Sequence, residues 1–211
     1  MLIDKGAVSK PLRGLAAAQI SGNRAMATPA FQLRQRTTRI LCSTHCNLIR
    51  FQLDNVKIES LMYNYVANLI EQNKIRIGMS SGRTYNHISD YITFDSVDVG
   101  PEVIVHEATH ALIDAVYPGL TITKGTGEAC AYLAETMYSW ATIRASRDLE
   151  IPHLTTPVSR LAQNALAHNR SHKQAYVCPP AEIDSIKAVM SEWMEIGRKD
   201  TMDGNACSKI G

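Results

Sequence analysis

The spacing of apolar residues changes along the chain from the pattern of strands to that of helices. Short runs rich in branched and aromatic residues predict strands at four places: residues 39–42, 47–53, 74–79 and 90–96. Residues 55–73 carry apolar side chains at helical spacing and predict an amphipathic helix with one apolar side: Ile58, Leu61, Met62, Val66, Leu69 and Ile70. Residues 80–86, rich in serine and glycine, predict a loop.

Beyond residue 100 the patterns are helical. Pro101 and Glu102 suit the first turn of a helix that continues to Tyr117 and ends before Pro118. Thr126 can cap the next helix. Three further helices are predicted: residues 127–146, 156–169 and 180–199. Strands and one helix followed by helices alone indicate an α+β domain, with a short mixed or antiparallel sheet packed on the helix from Pro101 and a helical C-terminal part.

Residues 1–37 differ from the rest of the chain. They contain six basic residues against one acid, Asp4, and show little periodicity. We expect a flexible basic leader over residues 1–37 and a single domain over residues 38–211. The leader lacks the apolar segment of a secretory signal peptide. Its composition fits a transit peptide, a leader read by a specialised secretion system, or a tail with no targeting role.

Composition and charge indicate a soluble globular protein. Of the 211 residues, 45% are apolar and 20% are charged, and the net charge is +2, so nothing indicates nucleic-acid or membrane binding. The five cysteines are irregularly spaced and do not indicate a disulfide framework. Cys42 and Cys46 flank His45, but the spacing is not that of a metal site and no fourth ligand is evident, so we expect idle or buried thiols.

The stretch HEATH, residues 106–110, lies in the helix predicted from Pro101. On a helix, His106 and His110 fall on one face, where two imidazoles can bind one zinc ion. Glu107 lies at the edge of that face, where it can accept a proton from a zinc-bound water and pass it to a leaving amine. The helix also carries a stripe that fits an ordinary core helix: Ile104, Ala108, Ala111, Leu112 and Ala115. Two histidines and an acid in a core would, however, each need a buried partner.

A catalytic zinc ion needs a third protein ligand and one open position. The three-histidine pattern is excluded, because Ile113 and Val116 stand where it requires glycine and histidine. A glutamate ligand remains. Glu128 lies in the first turn of the next predicted helix, behind glycines that let the chain turn back. Glu135, on the same face of that helix, is the alternative ligand.

HEATH followed at short range by GEACAYLAE resembles the zincin metallopeptidases, specifically the glutamate-ligand group called gluzincins. The resemblance implies a small zincin-like domain with Zn²⁺ as cofactor and these site residues: His106, His110 and Glu128 as ligands, and Glu107 as general base. It also implies that the strand at 90–96 lies along the cleft and pairs with an extended substrate. The stretch GTGEACAY is also similar to the second motif of the aspartate-ligand zincins, and that comparison too indicates Glu128.

The chain departs from the family pattern at the residue that orients a ligand histidine. Gluzincins often have an aspartate four residues after the third ligand, and this chain has Tyr132 there. Asp114 either takes over that role or is a solvated carboxylate near a helix end. Four residues are candidates for stabilising the developing oxyanion: Tyr132, His168, His172 and Tyr176. We expect the other histidines to be structural: His45, His87 and His153.

These features predict a zinc metalloendopeptidase that hydrolyses peptide bonds of a protein or peptide substrate. The basic leader suggests a delivered enzyme, such as a bacterial effector toxin, with a secretion apparatus or an inhibitor protein as further partners. A passenger protein fused to residues 1–37 that stays in the producing cell would contradict that hypothesis. Two alternatives stay open: a non-enzymatic zinc-stabilised binding module with a degenerate peptidase site, and a metal-free structural helix.

Overall fold

The computed structural model describes residues 28–143 and 156–191 and shows an α+β fold, as predicted. Six helices lie in these residues: α1 Pro29–Leu41, α2 Ser60–Glu71, α3 Pro101–Val116, α4 Lys124–Ile143, α5 Pro157–Ser171 and α6 at 180–191. They also contain six short strands: β1 Phe51–Leu53, β2 Val56–Ile58, β3 Arg76–Met79, β4 Thr84–Asn86, β5 Tyr91–Phe94 and β6 Tyr176–Val177. No helix within the described ranges is both long enough and apolar enough to cross a membrane.

The strands form two three-stranded sheets, in the orders β2-β1-β6 and β3-β5-β4. In the first sheet, β1 and β2 form a hairpin whose turn holds Asp54 at a φ of 52°, and β6 runs parallel to β1. In the second sheet, β5 is central, parallel to β3 and antiparallel to β4. Both sides of β5 are therefore paired, and β4 is an edge strand.

Helix α3 lies in the core and packs most extensively against α4. Most of the apolar stripe predicted for α3 is fully buried: Ile104, Ala108, Ala111 and Leu112. Helix α4 also contributes small buried residues to the core: Ala129, Cys130, Ala131 and Ala134. Small side chains let two helix axes approach closely. The stripe on α3 is thus a core face, and HEATH lies on the same helix beside it.

Residues 39–42, predicted as a strand, form the end of α1 and the residue after it. Thr28 caps this helix by accepting the backbone N–H of Phe31 at 3.3 Å, and Pro29 occupies its first turn. Its buried residues recur every four positions: Leu33, Thr37 and Leu41. The strand prediction was wrong because four residues are too short a window to show this helical spacing.

Helix α1 crosses the boundary predicted between leader and domain. Residues 29–37 form its first turns, and Arg34 donates a hydrogen bond of 2.7 Å to Asn73 Oδ1. Residue 37 is therefore not the end of an element. Residues 1–27 lie outside the described residues, and the leader itself stays a prediction.

Three short strands were not predicted. The helix expected over 55–73 begins only at Ser60, because residues 56–58 form β2 against β1. The loop expected at 80–86 contains β4, and β6 lies a few residues beyond the end of α5. Strands of two or three residues carry too little alternation to be recognised, because their pairing partners specify them.

A buried hydrogen bond joins α2 to α3. Tyr63 on α2 has no exposed surface, and its hydroxyl lies 2.8 Å from Oγ1 of Thr109 on α3. Thr109 Oγ1 itself donates to the Val105 carbonyl at 2.7 Å, so it accepts from the tyrosine.

We expect Thr109→Val to lower the free energy of unfolding by about 1–3 kcal/mol, because it leaves the Tyr63 hydroxyl buried without a partner. Tyr63→Phe should cost about 0.5–1.5 kcal/mol, because Thr109 keeps its bond to Val105. The double variant should be more stable than Thr109→Val alone. Urea denaturation measures all three, and a Thr109→Val protein at least as stable as Tyr63→Phe would contradict this account.

Candidate metal centre

Two histidines of α3 and a glutamate of α4 converge at one point. His106 and His110 lie one turn apart on α3, with ring centroids separated by 5.1 Å. Glu128 Oε2 lies 3.6 Å from His106 Nε2 and 3.7 Å from His110 Nε2. In the described part of the chain, this is the one group of three or more His, Cys, Asp or Glu residues whose ligand atoms all lie within 4.8 Å of one another.

The spacing of these three atoms suits a shared ion. Donors that each lie about 2.0–2.2 Å from a metal are about 3.3–3.8 Å apart at tetrahedral to trigonal angles. The distances from Glu128 to the two imidazoles fall in that range and exceed those of ordinary hydrogen bonds. His106, His110 and Glu128 can therefore hold a metal ion, as the sequence predicted.

The loop between α3 and α4 returns the chain so that Glu128 faces α3. The turn occurs at Gly119, whose φ of +83° favours glycine. Gly125 and Gly127, expected to make this turn, lie inside α4. The cap also differs from the expected one: Thr123 Oγ1 accepts the backbone N–H of Thr126 at 3.1 Å, so α4 begins before Thr126.

Glu135 contacts the other nitrogen of His106. Its Oε2 lies 2.9 Å from His106 Nδ1, so Glu135 lies outside the ligand cluster. A carboxylate at this place holds the proton on Nδ1 and leaves Nε2 free to bind a metal. The ring of Tyr132 packs edge-on against His106 with centroids 4.6 Å apart. The residue that orients a ligand histidine is thus Glu135, about one turn beyond Tyr132, where the family pattern has its aspartate.

Asp114 does not support a histidine. Its Oδ2 accepts a hydrogen bond of 2.8 Å from the hydroxyl of Tyr85 on β4. The sequence left two alternatives open for Asp114, support of a ligand histidine or a solvated carboxylate, and the structure instead turns this carboxylate to the neighbouring strand. Predicting this contact would have required knowing that β4 lies beside α3.

Glu107 is the buried acid of the site, with 7% of its surface exposed. Burial raises the pKa of its carboxyl, while His106, His110 and the backbone N–H of Tyr85 act in the opposite direction. A raised pKa brings a carboxyl nearer to the range in which it can both accept and return a proton at neutral pH.

Charge organises the metal-free cluster. Burial lowers the pKa of His106, but the carboxylates of Glu128 and Glu135 together outweigh it and raise that pKa to about 9. The imidazoles of His106 and His110 lower the pKa of Glu128. This raised pKa favours a protonated His106 between the carboxylates of α4 near neutral pH.

The cluster opens into a cleft of about 850 Å³. One wall comes from β4 and its flanking residues, and the other from the segment 119–123 and the start of α4. Of the four predicted oxyanion donors, only Tyr132 lines this cleft. The other three form a separate group, in which the ring of His168 stacks on His172 at 4.3 Å and lies edge-on to Tyr176.

His87, expected to be structural, is exposed and lines the cleft just after β4. Nothing in the sequence marked His87 as a cleft residue, because it follows a predicted loop and belongs to no motif. His45 lies edge-on to Tyr138 at 6.0 Å, away from the cleft. His153 lies outside the described residues.

The strand expected to bind substrate is also different. β5, which contains most of the stretch 90–96, has β3 on one side and β4 on the other, so it has no free edge for an extended peptide. β4 is the edge strand that lines the cleft.

The four cysteines in the described part of the chain take no part in the cluster. All four are free: Cys42, Cys46, Cys130 and Cys178. Burial raises the pKa of the Cys46 thiol to about 12. Cys207 lies outside the described residues.

We expect Glu135→Ala to weaken metal binding about 10- to 100-fold, because His106 loses the partner that orients it. Glu135→Gln should weaken metal binding less, since its amide oxygen can still accept a hydrogen bond from the Nδ1–H of His106. Glu128→Ala should weaken metal binding more than either Glu135 variant, because it removes a ligand. Competition with a chromophoric zinc chelator measures the affinities, and a Glu135→Ala protein with wild-type affinity would contradict the support role.

Metal binding should depend on pH through His106. A metal takes the neutral imidazole, so below about pH 9 a proton must leave first. The apparent affinity should therefore rise by up to about tenfold per pH unit from about pH 7 to pH 9 and then level off. The folding stability of the metal-free protein should depend on pH in the opposite direction. Protonated His106 contributes its full stabilisation below its ordinary pKa, and this contribution is lost as the pH rises through about 9. Chelator competition across this range checks the affinity, and a constant value would contradict the assignment.

Comparison with protein-family models, with curated proteins and with solved structures finds no match to this chain.

Proposed function

We propose that this protein is a zinc-dependent metallopeptidase that hydrolyses peptide bonds in a protein or peptide substrate. The observation that carries the proposal is the convergence of His106, His110 and Glu128 in a cleft beside the buried Glu107. Two imidazoles and one carboxylate, with an open side, are the donor set of catalytic rather than structural zinc sites.

His106, His110 and Glu128 would hold the ion. When bound, zinc supplies a Lewis acid that polarises a carbonyl group and lowers the pKa of a water molecule. Glu135 and Tyr132 keep His106 in place, through the contact at Nδ1 and the edge-on ring. The arrangement is similar to that of the glutamate-ligand zincins in its ligands and differs from it in the residue that orients the first histidine.

Glu107 is the proposed general base and acid. Its position next to His106 on the helix places its carboxylate at the cleft floor, and its raised pKa suits a group that takes up and returns a proton. Glu107 would take a proton from the attacking water and pass it to the leaving amine.

Tyr132 is the proposed donor to the developing oxyanion. It lines the cleft on α4, one turn after Glu128. Burial and the surrounding carboxylates raise the pKa of its phenol, so the group keeps its proton and can donate it in a hydrogen bond.

An extended substrate would lie along β4. The edge strand faces the cleft on one side, and an edge strand offers unpaired backbone groups to an added peptide. Across the cleft, Leu120 and Ile122 offer apolar surface for a substrate side chain.

The test combines zinc content with peptide cleavage. Elemental analysis of wild type and Glu107→Ala should give about one zinc ion per chain, and Glu128→Ala should give none. Wild type should cleave peptides in a proteome-derived mixture read by mass spectrometry. Glu107→Ala should be slower by about 10²- to 10⁴-fold with its zinc and its fold unchanged.

Glu102→Ala is the matched control, since it removes an acid from the first turn of the same helix, outside the cleft. It should keep both zinc and cleavage. Wild type without zinc, even after zinc is added back, would overturn the proposal. Zinc without any cleavage, together with unfolding when the zinc is removed, would favour a zinc-stabilised binding module instead.

A further inference from the structure

Tyr85 is the one residue of β4 that reaches both α3 and the cleft. It lies in the middle of this three-residue edge strand and its side chain is half-buried. Its hydroxyl lies 2.8 Å from Asp114 Oδ2 on α3 and 2.9 Å from Asp90 Oδ1 in the β4–β5 turn, and the two carboxylates share its one proton as acceptors. Among the described residues, no other hydrogen bond between side chains links β4 to α3.

The backbone of Tyr85 points to the free edge of the sheet. The carbonyls of Asp90 and Phe94 accept from Arg76 and Ser80, so alternate residues of β5 face β3. Ile92, between them, therefore also faces β3, and its partner in the register is Tyr85. It follows that the Thr84 and Asn86 backbones face β5, while the N–H and C=O of Tyr85 face away from it.

That free edge meets the general base. The backbone N–H of Tyr85 interacts with the Glu107 carboxylate, which is why it lowers the pKa of that group. Within residues 28–143 and 156–191, the carbonyl of Tyr85 accepts only a long hydrogen bond of 3.4 Å from the Thr84 hydroxyl, so it is open to a stronger donor. One residue thus contacts the base with its N–H and presents its C=O to the cleft.

The phenol keeps this backbone in place. A three-residue edge strand with exposed residues on either side of Tyr85 has few contacts of its own. Burial and the two aspartates raise the pKa of Tyr85, so the hydroxyl stays protonated and remains a donor. Its bond to Asp114 fixes β4 to the helix that carries the two histidines and Glu107.

We propose that Tyr85 is a positioning residue of the hydrolytic site: its phenol fixes β4 to α3, so that its C=O receives a backbone N–H of the substrate at a set distance from Glu107. The inference rests on the proposed peptidase function. It assigns Tyr85 and Asp114 a role in substrate binding that neither the HEATH stretch nor the metal cluster requires.

The test uses Tyr85→Phe, which removes only the hydroxyl, and Asp114→Ala, which removes its acceptor on α3. Tyr91→Phe is the matched control, because it makes the same change on the adjacent strand outside the cleft. Hydrogen exchange should show the amides of Thr84 and Asn86 exchanging roughly three- to tenfold faster in the first two variants. Both variants should match wild type in zinc content and in hydrogen exchange in α4. Their global stability should change only slightly.

Cleavage kinetics give the second readout. For peptides long enough to lie along β4, the KM should rise roughly three- to tenfold with little change in kcat, because backbone pairing binds ground state and transition state alike. Peptides truncated so that they no longer reach β4 should be unaffected. The double variant Tyr85→Phe/Asp114→Ala should be no worse than Tyr85→Phe alone, because Tyr85→Phe already removes the bond to Asp114.

The outcomes separate this inference from the proposed function. Unchanged exchange at β4, or equal losses for long and truncated peptides, would overturn the role of Tyr85 and leave the peptidase intact. A wild-type protein that binds zinc and cleaves nothing would overturn the peptidase, and the positioning role with it, even if β4 exchange still rises in Tyr85→Phe.

Discussion

The close packing of α3 against α4 is the constraint on which the site depends. The two helices run in opposite directions, since His110 lies near Gly127 and His106 reaches to Glu135. Alanines on both helices allow that approach, and the buried stripe on α3 sets the rotation of the helix about its axis. Once the rotation is set, both imidazoles must face the first turns of α4. The core thus determines the metal cluster, and a change that separates these helices would remove the cluster without touching a ligand.

The polar groups beside this core are tolerated because each has a partner. His106 contacts a carboxylate at each ring nitrogen, and Glu107 has two imidazoles and a backbone N–H nearby. Partly buried charges without such partners would cost several kcal/mol each. The raised pKa of His106 belongs to the same pairing, because a proton on this imidazole balances the acids of α4. A metal ion bound at these residues would compete with that proton for His106, so its binding would depend on pH.

The cleft is built differently from the cluster. Its floor belongs to rigid helices, whereas its walls are a three-residue edge strand and the short segment that connects α3 to α4. Few contacts hold walls of this kind, so a single side chain can determine the position of a wall. Tyr85 on β4 and Thr123 at the start of α4 each fasten a wall to the body of the protein. The geometry of the cluster formed by His106, His110 and Glu128 is thus set by helix packing, and the geometry of the cleft walls by a few hydrogen bonds.

The sequence by itself determined most of the long helices, though not α1, and the local chemistry. Helical spacing located α3 and α4 and most of α2, and the four-residue interval of HEATH placed both histidines on one face, because these patterns depend only on neighbours along the chain. Only the tertiary structure decided between Glu128 and Glu135, which lie on one helical face and differ in which nitrogen of His106 they meet. It alone also revealed β4, turned Asp114 towards Tyr85, and showed that the free edge beside the cleft belongs to β4 and not to β5. Those outcomes depend on pairing between segments far apart in sequence, and no local pattern records such pairing.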